Sequence, residues 1–284
     1  MSEPIAICTL SILAVTAICS WQGFRSQAFQ ERFIFEPAAI LRDKQYFRLV
    51  TSGFLHADWM HFLLNAISLY SFGKYIELLF GIPTLMLIYF GSIVGGSLLS
   101  LYLHRHHDYR ALGASGGVCG VIFASIFLLS GGGVTMLWMP VSIPSWLYAI
   151  LFLVASFIGM KHQLGNIGHD AHLGGALIGL LITTALHPEI VPQSPILYAT
   201  IMALATSLFL YLWLNPLFLP AADVLGRGVE ILGETRNRLM RRKQLSEDQE
   251  MDRLLEEVSQ SGIHSLSTTK RKRLDLLSQR RRER

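Results

Sequence analysis

The amino-acid sequence predicts an all-α, polytopic membrane helix bundle followed by a short, partly helical soluble tail. Only 15% of the 284 residues are charged, whereas ordinary soluble domains carry about 25%. The charges are also unevenly distributed, because 15 of the 24 Lys and Arg and 11 of the 20 Asp and Glu follow Pro220. The first 220 residues are therefore too apolar for an ordinary soluble enzyme, and the remainder is expected to lie outside the membrane.

Seven apolar segments have nearly the length needed to span a bilayer. They are Ile5–Trp21, Phe62–Phe80, Thr84–Leu103, Ala111–Ser130, Ser145–Met160, Ile167–Leu186 and Leu197–Leu214. The first is expected to be a retained span, because no basic residue precedes it as in a cleaved signal peptide. The long first loop, residues 22–60, is rich in aromatic residues and is expected at the membrane interface or against the bundle.

The charged tail contains two amphipathic patterns. Apolar residues spaced for one face of a helix are Met251, Leu254, Leu255 and Val258, and a break follows at Ser261-Gly262. Ser267 is placed to cap a second helix that carries Leu274 and Leu277. The basic runs at 270–273 and 280–282 are expected to be solvated or to meet a protein or anionic-lipid partner. Nucleic acid is not expected as a partner, because no nucleic-acid-binding motif accompanies these runs.

A few polar residues interrupt the apolar segments, and such residues inside a membrane are functional candidates. His61 and Asn65 share one helical face near the start of the second segment, Ser115 lies near the start of the fourth, and His172 near the start of the sixth. Alternate spans run in the same direction, so these starts should meet at one membrane level. Three helix starts provide partial positive charge there. The set suits a serine activated by a neighbouring base and a site for an oxyanion.

Each feature also has a plainer interpretation. A serine after glycine is often a helix N-cap, and a lone histidine at a membrane interface is often only an interfacial residue. The pairs Gly116/Gly120 and Gly175/Gly179 are typical of close helix packing. The joint occurrence of these features on helices of one direction favours a hydrolytic site.

Three motifs in order resemble the rhomboid family of intramembrane serine proteases. They are His56-x4-His61-x3-Asn65, Gly113-Ala114-Ser115-Gly116 and Ala171-His172-x2-Gly175, within residues 40–186. The resemblance implies that Ser115 is the nucleophile and His172 its general base. It implies an oxyanion hole from His61, Asn65 and the backbone N–H of Ser115. It gives supporting roles to Gly113, Gly116, His56 and Arg48, the last in a Phe47-Arg48 pair where the family often has Trp-Arg.

The resemblance implies no cofactor and no metal, and it implies transmembrane proteins in the lipid bilayer as substrates. Rhomboids use a Ser–His dyad without an essential acid, and Asp170 is expected to face away from His172 because it lies only two residues before it. Glu77, in a Gly73-x3-Glu77-x3-Gly81 pattern, is expected to be a buried acceptor that links helices.

The sequence leaves room for functions other than proteolysis. A catalytically inactive rhomboid-like membrane binding protein is the main alternative. A transporter or channel would predict paired charges in mid-span or inverted repeats, and neither is found in the sequence. His104, His106 and His107 could suggest a metal site, but solvation in a loop is the expected state of this cluster.

The predicted domain organisation is a six-helix rhomboid core at 1–190, an extra transmembrane helix at 191–220 and the tail at 221–284. The multi-pass protein is expected in a bacterial plasma membrane. Its orientation stays open, because the Lys and Arg of the first, third and fifth loops favour a cytoplasmic location for the side on which the site opens. The resemblance implies the opposite orientation.

Overall fold

The computed structural model describes residues 5–129, 133–135, 142–162, 168–215, 249–262, 264 and 266–282, and it confirms the all-α fold class. The chain divides into two compact units, 1–220 and 221–284, which are considered separately. In the described part of the first unit the only strands are two short ones, β1 (Gly133–Thr135) and β2 (Ser142–Pro144), which pair antiparallel.

Within its described residues, the first unit has seven longer α-helices and four short ones. The longer helices are α1 (Ile7–Arg25), α5 (Trp59–Phe80), α6 (Ile82–His104), α7 (Ser115–Leu128), α8 (Ser145–Lys161), α9 (His169–Leu186) and α11 (Pro195–Leu214). The short ones are α2 (Gln27–Phe33), α3 (Pro37–Leu41), α4 (Arg48–Thr51) and α10 (Ile190–Gln193). The seven longer helices correspond to the seven predicted segments. The fourth begins at Ser115 rather than Ala111, because the preceding residues form a loop with a positive-φ glycine, Gly113.

Three of these helices, α1, α6 and α11, are both long and apolar enough to cross a membrane. Helices α7 and α8 are apolar but shorter. Helices α5 and α9 carry the polar residues singled out in the sequence.

Arg48, which is 6% exposed, holds the long first loop together. Its Nη1 donates hydrogen bonds to the carbonyl oxygens of Glu31 at 2.9 Å and Ile34 at 2.6 Å, and its Nε donates to Gln45 Oε1 at 2.7 Å. Ser97 Oγ of α6 then donates to the carbonyl oxygen of Leu49 at 2.9 Å. Arg48 therefore holds the loop together and Ser97 joins it to the bundle, and none of these bonds needs an indole N–H at position 47.

Helix α7 lies at the centre of the unit, where every residue from Gly116 to Phe127 is buried. It approaches α9 so closely that a methyl group on Gly175 would collide with the carbonyl oxygen of Gly116. One turn further, a methyl group on Gly179 would collide with the Cα of Gly120. The close approach predicted from the two glycine pairs is confirmed.

Glu77 joins the start of α1 to the end of α5. One carboxylate oxygen accepts the backbone N–H of Cys8 at 2.8 Å, and the other accepts the N–H and the hydroxyl of Thr9, both at 2.7 Å. The carboxylate thereby satisfies donors that the first turn of a helix leaves without intrahelical partners. The predicted role of Glu77 as a buried, helix-linking acceptor is confirmed.

The second unit contains a helical hairpin of α12 (249–261) and α13 (Thr268–Arg282). Gly262 has φ +78° and ends α12, and Ser267 Oγ caps α13 by accepting the N–H of Lys270 at 3.3 Å. The buried cluster consists of Met251 and Leu254 of α12, Leu274 and Leu277 of α13, and Leu266 of the connection between them. Leu255, predicted on the same apolar face, is 46% exposed. Ion pairs Lys270–Glu257 at 2.7 Å and Arg273–Glu250 at 2.9 Å join α13 to α12.

Candidate active site

The first part of the site is the start of α5, which Asp58 caps by accepting the N–H of His61 at 2.8 Å. The His61 ring is partly exposed, whereas Asn65, one turn on, is buried. Asn65 Nδ2 donates to the carbonyl oxygen of His61 at 2.9 Å. Since an amide group has two N–H donors, one N–H of Asn65 is used within its own helix and the other is left for a different acceptor.

The second part is the turn that leads into α7. The N–H of Gly113 donates to the carbonyl oxygen of Ser52 at 3.0 Å, and Gly113 has φ +141°, a conformation that L-residues rarely adopt. A methyl group on Gly113 would lie 2.8 Å from Cε1 of His61 and 3.7 Å from Oγ of Ser115. His61 and Ser115 are therefore neighbours across this glycine, and there is no room for a side chain between them.

His56 fixes the same turn from behind through a chain of hydrogen bonds. The N–H of Ala114 donates to His56 Nε2 at 3.3 Å, and His56 Nδ1 lies 2.9 Å from Ser20 Oγ. Ser20 Oγ in turn donates to the carbonyl oxygen of Phe54 at 3.1 Å. Because Nε2 accepts, Nδ1 must carry the proton and donate to Ser20. Neutral His56 thus ties α1 to the residue that precedes Ser115.

This arrangement makes stability depend on pH through His56. Burial lowers the pKa of His56 from 6.5 to about 3. Between these two pH values the ring stays neutral in the folded protein, whereas it takes up a proton in the unfolded chain. The stabilisation by neutral His56 is complete above about pH 6.5 and declines as the pH falls toward about 3. We expect a lower Tm at about pH 5 than at about pH 7.5, and a smaller difference in His56→Gln. His106→Gln, at an exposed ring, should keep the wild-type difference. An unchanged difference in His56→Gln would contradict the assignment.

The third part is the start of α9, which carries His172. Its ring lies between those of Phe152 of α8 and His169, with centroids 6.0 Å and 5.7 Å away. The preceding residue, Ala171, meets α7, since a methyl group on Gly116 would lie 3.3 Å from the carbonyl oxygen of Ala171. The turns that carry Ser115 and His172 are therefore in backbone contact, as expected from helices that run in the same direction.

The other predicted supporting residues lie in different places. Gly116 lies in the contact between α7 and α9, and Arg48 lies in the first loop, where its hydrogen bonds are to loop residues. The starts of α5, α7 and α9 thus bring His61, Ser115 and His172 together at one end of the bundle.

His104 was expected in a solvated loop, and this expectation is wrong. It is the last residue of α6 and is 9% exposed, with Nε2 3.2 Å from Oδ2 of Asp170. The ring of Tyr109 stacks on it at a centroid distance of 3.5 Å. Asp170 therefore faces α6 and the following loop. Among the described residues, no group of three or more His, Cys, Asp or Glu is placed to hold a metal ion.

Sequence comparison identifies related proteins. A rhomboid domain matches residues 43–189, and a second family of unknown function (DUF6576) matches residues 239–280. Rhomboid protein 1, mitochondrial, of Saccharomyces cerevisiae is 25% identical over 165 residues, 57% of this chain and 47% of that protein. Two Bacillus subtilis proteins are also similar. Rhomboid protease GluP is 25% identical over 149 residues, which are 52% of this chain and 27% of that protein. Putative rhomboid protease YdcA is 28% identical over 139 residues, which are 49% of this chain and 66% of that protein.

These alignments cover less than two thirds of each relative's own length. The relatives come from a bacterium and, by name, from mitochondria, so the expected bacterial location stays a prediction. The rhomboid domain and the apolar helices together identify an integral membrane protein. Because the rhomboid domain covers more than half of its 284 residues, the chain belongs to the rhomboid family.

Proposed function

We propose that this protein is an intramembrane serine endopeptidase that hydrolyses peptide bonds in or next to transmembrane helices of other membrane proteins. The observation that carries the proposal is the convergence of three helix starts. Gly113 lies between His61 and Ser115, and the residue after Ser115 meets the carbonyl oxygen of Ala171, next to His172. The protease names of relatives such as GluP support the same reaction class.

In the proposed reaction His172 takes the proton from Ser115 Oγ as that oxygen attacks the carbonyl carbon of the scissile bond. The tetrahedral intermediate collapses, the C–N bond breaks, and the protonated imidazole gives its proton to the leaving amine. Water then attacks the acyl-serine with His172 as base, and the carboxylic product leaves as Ser115 regains its proton.

The oxyanion of the intermediate is assigned to three donors: the backbone N–H of Ser115, the ring of His61 and the second N–H of Asn65. The N–H groups in the first turn of α7 have no partners within the helix, and the helix dipole places partial positive charge at the same point. His61 supports this assignment because only Gly113 separates it from Ser115 Oγ. Donors arranged in this way stabilise charge as it develops.

Two physical requirements define the substrates. A helix hides its carbonyl groups in its own hydrogen bonds, so a substrate must unwind locally and should carry small or helix-breaking residues near the cleaved bond. Water must also reach Ser115. A cavity lined in part by His56, Asn65 and Ala114 has a volume of about 10 Å³, at the lower limit of the space that one water molecule needs. A protein or anionic-lipid partner for the tail stays a prediction.

Labelling of purified protein with a fluorophosphonate tests the proposal. Wild type should be labelled at Ser115 and should cleave a model transmembrane substrate, and Ser115→Ala should do neither. Ser125→Ala is a matched control, because Ser125 lies in the same helix but its hydroxyl donates to the carbonyl oxygen of Ile122 at 2.7 Å. It should be labelled like wild type. A folded wild-type protein that is neither labelled nor active would favour the inactive, substrate-binding alternative.

A further inference from the structure

A buried carboxylate in α9 joins three parts of the chain near the proposed site. Asp170 is 3% exposed, and its Oδ2 lies 3.2 Å from Nε2 of His104 at the end of α6. Its Oδ1 accepts the hydroxyl of Tyr109 at 3.3 Å. The rings of His104 and Tyr109 stack nearly parallel, with an interplanar angle of 4°. Both partners of the carboxylate are therefore held against each other as well as against Asp170.

Tyr109 lies in the loop 105–114, which ends at Ser115, so this contact reaches the turn of the proposed nucleophile. The loop is held further along by Phe35, whose backbone exchanges two hydrogen bonds with Ala111 at 3.0 and 3.2 Å. The Phe35 ring also packs edge-on against Tyr109 at 6.1 Å. The segment leading to Ser115 is thus fixed at its middle by Tyr109 and by the first loop.

Asp170 and His172 share the first turn of α9, where their side chains leave the helix on different sides. His172 faces Phe152 and His169, whereas Asp170 faces His104 and Tyr109. A shift of the first turn of α9 would therefore move both side chains together. A carboxylate in the first turn also interacts favourably with the helix dipole.

We propose that Asp170, with His104 and Tyr109, positions the start of α9 against the loop that leads into α7 and so sets the separation of His172 from Ser115. This inference rests on the proposed dyad. Asp170 acts here as a positioning residue and not as the acid of a catalytic triad, because its oxygens contact α6 and the loop. Burial and the charge of Asp170 raise the pKa of Tyr109 well above 10, which keeps its hydroxyl protonated as the donor.

The test compares kcat and KM for a model transmembrane substrate in wild type, Asp170→Asn and Tyr109→Phe, well below the Tm of each variant. Asp170→Asn should lower kcat by about 10-fold to 100-fold with KM changed by less than about 3-fold, since a small misplacement affects the reacting groups more than binding. Tyr109→Phe, which keeps the stacked ring and loses only the hydroxyl, should lower kcat by about 3-fold to 10-fold. In the double variant, kcat should fall by less than the product of the two single reductions, because both substitutions affect the same hydrogen bond between Tyr109 and Asp170.

Glu77→Gln is the matched control, because Glu77 is also a buried carboxylate with several hydrogen bonds, at the other end of α5 from the site. It should lower Tm and leave kcat within about two-fold of wild type. A kcat within about two-fold of wild type in folded Asp170→Asn would overturn the inference, as would an equal loss of kcat in Glu77→Gln. If Asp170→Asn does not fold, Tyr109→Phe decides by the same criterion. Absence of cleavage by wild type would instead refute the proposed function.

Discussion

Replacing His172 by alanine should lower kcat for cleavage of a transmembrane substrate by about 10⁴-fold, with little change in Tm. The general base and the hydroxyl it activates work as a unit, so loss of either removes nearly all of their joint contribution. The ring of His172 is half-buried between Phe152 and His169, and alanine leaves only a small space there. Single-turnover cleavage in detergent or liposomes, with folding verified by thermal denaturation, measures the effect.

His169→Ala is the control for this prediction, because it removes a second imidazole one helical turn away, at a ring-centroid distance of 5.7 Å. Its ring packs on Gly159 of α8, so some loss of stability is expected. Its kcat should stay within about 10-fold of wild type, since the neighbouring ring takes no proton in the proposed reaction. A His172→Ala variant as active as His169→Ala would refute the assignment of the base.

Gly175→Ala should both destabilise the protein and slow catalysis by about 100-fold. The added methyl group would collide with the carbonyl oxygen of Gly116, which is backbone and cannot rotate away. Overpacking of this kind costs about 3 kcal/mol, which corresponds to a fall in Tm of roughly 6–12 °C for a unit of this size. Helices α7 and α9 must separate next to Ser115 and His172, and a displacement of about 1 Å can reduce the rate by about 100-fold. Thermal denaturation and cleavage kinetics measure the two effects.

Gly73→Ala provides the same chemical change in a different place. Its methyl group would meet Cδ1 of Leu69 at 3.2 Å and Cγ2 of Thr9 at 3.5 Å, both ends of side chains that can adjust. Alanine also favours a helix by about 1 kcal/mol over glycine. We expect Tm and kcat near the wild-type values. Equal losses in the two variants would mean that the bundle rejects any added methyl group and that the contact between α7 and α9 has no special role.

The sequence predicted the membrane helices well because span length and hydrophobicity are properties of local segments. The helix ends differ from prediction by at most four residues. The largest differences are at the end of α1, which continues past Trp21 to Arg25, and at the start of α7, where the apolar run from Ala111 includes a loop. The close pairing of α7 with α9 was also predictable, because Gly116 and Gly175 each begin a four-residue glycine spacing beside a candidate residue.

Contacts between distant segments were less accessible to sequence reasoning. His104 stands beside two further histidines and an arginine, a composition typical of a solvated loop, yet it is buried against Asp170, 66 positions away. From the sequence, Asp170 is expected only to face away from His172, and no partner for it is predicted. The remaining signal was a single acidic residue at an apolar helix start, which suggests a buried partner without identifying it. The two hydrogen-bond partners of His56 are Ser20 and Ala114. The sequence pattern could not identify them, because each lies on a different segment of the chain.

The burial of α7 has a consequence for how a bilayer can influence the reaction. From Gly116 to Phe127 the helix is enclosed by protein. The turn that carries Ser115 is therefore followed by a helix with no lipid-facing side. Lipid can touch the outer helices, such as α1, α8 and α11, where residues including Trp21, Leu151 and Leu210 are exposed. Changes in membrane thickness or fluidity must then act first on these outer helices. Such changes in the membrane can affect the position of Ser115 only by altering how tightly the outer helices pack around α7.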